Sequence, residues 1–306
     1  MSKIRDNLHY FKISQDNSEL HLDENYFILE KHPNLPEYIK GIKEIKEILI
    51  TIKKLDENNE SKGIVDKYLL KLFNVFKNNF ANCSELGCFV NACDTTRDMV
   101  QKDYETFKKI TMLFIKRRIL DDKVPENWIQ AIIDSNSSRK KGDLGEKKLV
   151  SVLDKKGYKE INTWNDFFKN NKCVAKFSSG DFSIKNIREK LNLKIKTKKQ
   201  NKNLDLLIKN GEKILLLEAK HLNTGGGEQD KQLAELIEIL GLKEKGNVYY
   251  ISFLDGTYSN SILGKIGKKS KKKYRQRKEI EKCLKANANN FWVNTAGFES
   301  LISDLK

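Results

Sequence analysis

The chain has 306 residues, enough for two domains and a substantial core. Hydrophobic residues make up 39% and charged residues 33%, the balance of a soluble globular protein, and no apolar run approaches the length of a membrane span. The net charge of +16 is unevenly placed: residues 1–134 hold 21 basic and 22 acidic side chains, whereas residues 135–306 hold 37 and 20. A Lys- and Asn-rich vocabulary would act on both halves, so the asymmetry points to a polyanionic partner for the second half.

The opening segment MSKIRDNLHYFKISQDN lacks the apolar stretch of a signal peptide, so a cytoplasmic location is expected. Cys83, Cys88, Cys93, Cys173 and Cys283 are odd in number and form no CxxC pair, which fits a reducing compartment. The even spacing of the first three reads as small residues on helix faces. His9, His21, His32 and His221 show no ligand spacing, which argues against zinc.

Residues 1–134 read as an all-helical N-terminal domain. After Pro33 and Pro36, Ile39, Ile42, Ile45, Ile48, Leu49 and Ile52 fall at helical spacing over 37–55. Val65, Leu69, Leu72, Phe73, Phe76 and Phe80 repeat the pattern over 64–80. Thr95 or Thr96 can cap a long helix running to about Leu120, closed by Lys116, Arg117 and Arg118. Its aromatic stripe reads as core rather than as a base-stacking platform. Residues 134–141 (DSNSSRKK) read as the linker to a second domain over 135–306.

That domain opens with a helix from Gly142 to Gly157, striped by Leu144, Leu149, Val152 and Leu153. Residues 158–202 carry Trp164, Phe167, Phe168, Val174 and Phe177 in packed or strand segments. From Lys185 to Lys202 the chain is strongly basic. Lys196, Lys198 and Lys199 are candidates for phosphate contact there, with a solvated helix face as the alternative.

Residues 203–221 (NLDLLIKNGEKILLLEAKH) place two apolar runs around Asn210-Gly211, a strong signal for a tight hairpin. With those two residues as the turn, Lys209 pairs with Glu212 and Asp205 lies opposite Leu216. Side chains alternate along a strand, so Asp205, Leu216, Glu218 and Lys220 share one face. Leu207 and Ile214 line that face too, and Leu206, Ile208, Leu215 and Leu217 line the other. Strands apolar on both faces belong inside a covered sheet.

The three glycines of Asn223-Thr224-Gly225-Gly226-Gly227 permit close backbone approach to a ligand, but no P-loop sequence follows. Asn223 and Gln229 are candidates for nucleic-acid contact, and Gln229 or Gln232 could reach the reacting phosphate. A helix then ends at Gly241, and 247–254 (NVYYISFL) reads as a further strand with a turn at Asp255-Gly256. Residues 264–278 (GKIGKKSKKKYRQRK) hold nine basic side chains. Lys268, Lys269, Lys271, Lys272, Lys273, Arg275 and Arg277 are candidates for tracking a DNA backbone, with a solvated tail as the alternative. Phe291-Trp292-Val293 begins a final buried element.

Two carboxylates and an amine on one strand face suit metal-assisted phosphodiester hydrolysis. Carboxylate oxygens suit Mg²⁺, the metal can acidify a bound water, and the amine can orient it. Asp205, twelve intervening residues and Glu218-Ala219-Lys220 resemble the PD-(D/E)XK nuclease signature, although Leu204 stands where that pattern has proline. The order strand, strand, helix, strand is that of the superfamily's core. Lys141-Gly142-Asp143, Asp205–Asn210, Glu218–Lys220 and Thr224–Gly227 are similar in layout to type II restriction endonucleases that cut GATC, over roughly residues 139–255.

The resemblance implies an α/β (α+β) restriction-endonuclease-like core, a mixed sheet flanked by helices. It implies metal binding by Asp205, Glu218 and the Ala219 carbonyl, water positioning by Lys220, and a supporting acid on the preceding helix. Glu146 is the candidate for that acid, with Asp143 next. It further implies Mg²⁺, double-stranded DNA as substrate, a homodimer, and a cognate DNA methyltransferase. A junction or repair nuclease of the same superfamily, or a non-catalytic basic nucleic-acid-binding protein, are the alternatives.

Overall fold

The computed structural model describes residues 4–197, 203–267 and 270–305. The chain forms two compact units: residues up to Phe27 together with those from Arg139 onward, and Ile28–Ser138. The expected boundary near residue 134 lies close to the second crossing. The first 27 residues, however, belong to the basic unit and not to the helical one. Packing explains this. Helix α1 (Asn7–Asp16) is too short to stand alone in water. It buries Tyr10 and Phe11, and the Asn7 side chain donates to the carbonyls of Leu284 and Asn290 at 2.9 Å.

The described residues of 28–138 form helices, short 3₁₀ turns and loops. They comprise α2 (Leu35–Glu57), α3 (Lys62–Phe76), α4 (Glu85–Ala92), α5 (Arg97–Val100), α6 (Tyr104–Arg117) and α7 (Glu126–Ser135). The expected long helix from Thr95 or Thr96 is two helices. Thr96 caps α5, and Asp103 then accepts from the Thr106 N–H to start α6 afresh. The aromatic stripe is core: Phe73, Phe76, Phe107 and Phe114 pack together with Ile45, Ile52 and Leu72.

The expected linker is largely helical, because α8 (Ser138–Asp154) begins only three residues after α7 ends. Gly157, at φ +82°, turns the chain out of α8 as its sequence position implies. The basic unit then runs β1 (Lys159–Glu160), α9 (Trp164–Lys169), β2 (Lys172–Lys176), α10 (Ile184–Leu191), β3 (Leu206–Asn210), β4 (Lys213–His221) and α11 (Gly227–Leu240). It continues through β5 (Val248–Asp255), α12 (Thr257–Leu263), α13 (Lys271–Ala286), β6 (Asn290–Val293) and α14 (Thr295–Asp304).

Among the described residues the six strands form one mixed sheet in the order β1 to β6. The β2–β3 and β3–β4 pairs are antiparallel and the others parallel. One face packs Leu206, Ile208, Leu215 and Leu217 against Leu149 and Leu153 of α8 and Phe298 of α14. The other packs Leu207, Ile214 and Leu216 against Trp164, Phe167, Ile187 and Ile239. The central strands are therefore covered on both sides, as their continuous apolar sequence implies.

The hairpin register differs from the expected one by two residues. Gly211, at φ +61°, and Glu212 form the turn, and Asn210 pairs with Lys213 as the last residue of β3. A glycine with positive φ followed by a residue with negative φ has the signs of a II′ turn. Asn210 stays in the strand because its amide is occupied, donating to the Tyr158 hydroxyl and the Leu305 carbonyl. A slip of two preserves every side-chain face, whereas a slip of one would have inverted them. The register begins at Leu206 opposite Leu217, with Asp205 one residue before the strand.

Candidate active site

Asp205 stands immediately before β3. Its N–H donates to the Leu217 carbonyl at 3.0 Å, and its carbonyl accepts from the Phe177 N–H at 3.1 Å. Both neighbouring strands thus fix its backbone. Its carboxylate accepts from the Ala219 N–H at 2.6 Å. On a strand the N–H and carbonyl of one residue point to the same edge. The Ala219 carbonyl is therefore directed along the edge on which Asp205 lies. Glu218 is fully buried on β4, and its Oε1 accepts from the Lys220 ammonium at 2.6 Å. Asp205, Glu218, Ala219 and Lys220 thus gather at one end of the two central strands.

The charges there are crowded. Burial first, and then the Glu218 carboxylate, push the Asp205 carboxyl up to about 7; Lys220 and the Ala219 N–H only partly offset them. Glu146, half-buried on α8, adds a smaller push to Asp205. Burial also raises Glu146 itself, against the pull of Lys176. Glu146 therefore lies within electrostatic reach of Asp205. It does not complete a three-ligand set: among the described residues no three His, Cys, Asp or Glu side chains are grouped at metal-ligand spacing. The set that fits a hard divalent cation is narrower. It comprises two adjoining carboxylates, Glu218 fully buried and Asp205 half-buried, whose mutual repulsion a cation relieves, with one carbonyl on the same edge.

The basic candidates sort into different roles. Arg277 donates to the carbonyls of Leu263 and Gly264 at 3.0 and 2.7 Å and pairs with Glu281, so it braces α13 and is not presented to a ligand. Lys272 pairs with Asp230. Lys273 sits 5.3 Å from the centre of the Tyr258 ring. Lys271, Arg275 and Lys196 are exposed. Lys198, Lys199, Lys268 and Lys269 lie outside the described residues. The basic stretch, for which a solvated tail was the alternative reading, is in part the first turns of α13, which is anchored by Ile280 and Leu284.

Asn223 serves structure as well as surface. Its Oδ1 accepts from the Thr257 N–H and its carbonyl from the Thr257 hydroxyl, which holds the start of α12. Gln229 is half-buried, and a Cβ at Gly226 would meet its Oε1 at 2.7 Å, so glycine is required for the two to lie this close. Asn223, Gly225, Gly226, Thr257, Lys271 and Lys273 border an open depression of about 630 Å³.

Sequence reading missed a second buried cluster beside the first. Lys148 on α8 donates to Asp23, Asp255 and Thr295 at 2.7 to 2.8 Å. Asp255 is fully buried and also accepts from the Tyr26 hydroxyl at 2.7 Å. Its other oxygen lies 2.9 Å from His221 Nδ1. Tyr26 stacks on the His221 ring at 3.6 Å. Asp255 was expected in a turn; it is the last residue of β5, paired in register with His221. A buried Asp at a strand end was the one available signal, and burial is not visible in sequence.

Comparisons with protein-family models, with curated proteins and with solved structures give no match, so the site is read from its own geometry.

Proposed function

We propose that the protein is a Mg²⁺-dependent type II restriction endonuclease of the PD-(D/E)XK superfamily. Its substrate is double-stranded DNA, cut at specific sites. The observation that carries this reading is the Asp205–Glu218 pair, a half-buried and a fully buried carboxylate crowded at the end of central strands with Lys220 beside them. The mixed sheet, with a hairpin followed by a helix and a parallel strand, is compatible with a restriction-endonuclease-like core. The basic excess of residues 135–306 supplies a field that attracts a polyanion.

In this reading Asp205, Glu218 and the Ala219 carbonyl hold Mg²⁺. When bound, the ion supplies Lewis-acid polarisation of the phosphate and a more acidic water. Lys220 has three N–H donors and gives one to Glu218. The other two are free in number to orient the attacking water and to offset negative charge on the phosphate oxygens. Water adds to phosphorus, the bond to the 3′ oxygen breaks, and that oxygen takes a proton, leaving 5′-phosphate and 3′-hydroxyl ends. Glu146 adds negative potential at Asp205 and so favours occupation by a cation. A homodimer acting on a palindrome, a cytoplasmic location and a methyltransferase protecting host DNA belong to the same reading.

Purified protein incubated with unmethylated phage DNA and Mg²⁺ tests it. Discrete bands, lost with EDTA and in Asp205→Ala, are expected, and sequencing their ends gives the recognition site. A smear lost in both controls replaces site-specific cleavage with repair-type nuclease activity. DNA left intact under all conditions, methylated substrates included, overturns the endonuclease reading.

A further inference from the structure

We infer that Asp255 is a positioning residue that locks the two elements carrying the candidate catalytic groups to one another. The inference rests on the metal-site reading above. The Asp255 carboxylate is the meeting point of α8 and β4. One oxygen binds the Lys148 ammonium at 2.8 Å, and the other binds His221 Nδ1 at 2.9 Å. Lys148 lies two residues after Glu146, and His221 directly follows Lys220. One fully buried carboxylate therefore fixes the axial position of α8, and with it Glu146. It also fixes the last rung of β4, and with it Lys220 and the Ala219 carbonyl.

The ring of His221 is held on three sides. Tyr26 stacks on it, Asp255 meets Nδ1, and the Asn223 amide lies 3.1 Å from Nε2. A carboxylate accepts and does not donate, so Nδ1 carries the proton and Nε2 accepts from Asn223. Asn223 in turn holds Thr257, so the clamp also sets the start of the glycine-rich loop. Lys148 has its three N–H groups directed at Asp23, Asp255 and Thr295, which leaves α8 no alternative register along the sheet. Residues that orient metal ligands from behind are worth roughly 10–100-fold in metal affinity or activity when removed.

Asp255→Asn keeps the shape of the side chain and removes the charge that draws Lys148 and His221 together. Mg²⁺ binding is measured by calorimetry on the full chain, beside cleavage kinetics. The control is Ser252→Ala, three residues before Asp255 on β5, which removes a buried hydroxyl bond to the Leu236 carbonyl of α11. Asp255→Asn is expected to weaken Mg²⁺ binding roughly 10-fold or more and to lower kcat with KM for DNA nearly unchanged. Ser252→Ala is expected to leave both within about twofold. Tyr26→Phe keeps the stack, loses one donor to Asp255, and is expected to fall between them, which covers the case of an Asp255→Asn protein that does not fold. Equal losses in Asp255→Asn and Ser252→Ala, or wild-type Mg²⁺ affinity in both Asp255→Asn and Tyr26→Phe, overturn the inference alone. A wild-type protein that binds no Mg²⁺ overturns the metal-site reading on which it stands.

Discussion

Two clusters of charge stand at the ends of β4 and β5, and they are neutralised very differently. Around Asp255, donors match acceptors: Lys148, Tyr26 and His221 converge on one carboxylate, and Lys148 and Asn25 hold Asp23 below the usual carboxylate range despite burial. Around Asp205, burial and the adjoining Glu218 win over Lys220, and the carboxyl is pushed up to about 7. A network whose charges are matched rigidifies, whereas crowded carboxylates are relieved by a cation. The contrast separates a scaffold cluster from the proposed metal site on a pair of adjacent strands.

Breaking each cluster at its lysine sharpens the contrast. Lys220→Ala is expected to reduce DNA cleavage by about 10²- to 10⁴-fold, with DNA affinity changed little, as read by single-turnover kinetics beside a binding assay. Lys148→Met is expected to act first on stability. It leaves the buried Asp255 and the half-buried Asp23 without their ammonium, a loss of roughly 3–5 kcal/mol in a urea melt. If Lys220→Ala unfolds the protein and Lys148→Met leaves its stability intact, the assignment of scaffold and chemistry is reversed.

Much of the site could be read from sequence because local rules govern it. Strand alternation and a glycine-bearing turn place Asp205, Glu218 and Lys220 on one face, and an error of two residues in register left that face unchanged. The turn itself was misplaced because Asn210 is held by Tyr158 and Leu305, both distant in sequence. The Asp255 network was illegible for the same reason: Asp23, Tyr26, Lys148, His221 and Thr295 come from four widely separated segments. Nothing local distinguishes Tyr26 from any surface tyrosine. The first 27 residues read as part of the helical domain because they lie before the linker in sequence, but α1 is held by β6 and α14 at the other end of the chain.

A smaller effect separates the basic residues. Lys271→Ala and Arg275→Ala are each expected to weaken DNA binding and to reduce the slope of log affinity against log salt by about 0.9. Arg277→Ala, whose guanidinium is committed to the Leu263 and Gly264 carbonyls, is expected to lower the melting temperature and leave that slope unchanged. A slope change in Arg277→Ala equal to that of Lys271→Ala would place Arg277 on the DNA.

The most direct measurement of the central claim is stability against pH for wild type and Asp205→Asn, with and without Mg²⁺. A carboxyl whose folded pKa lies above its unfolded value of about 3.8 contributes no penalty at low pH. It loses stability as pH rises from there, and the loss is complete at about pH 7. Wild type is therefore expected to lose stability between pH 4 and 7, Asp205→Asn to lack that loss, and Mg²⁺ to restore it in wild type alone. Parallel profiles for the two proteins, indifferent to Mg²⁺, would contradict a crowded carboxylate pair that a cation relieves.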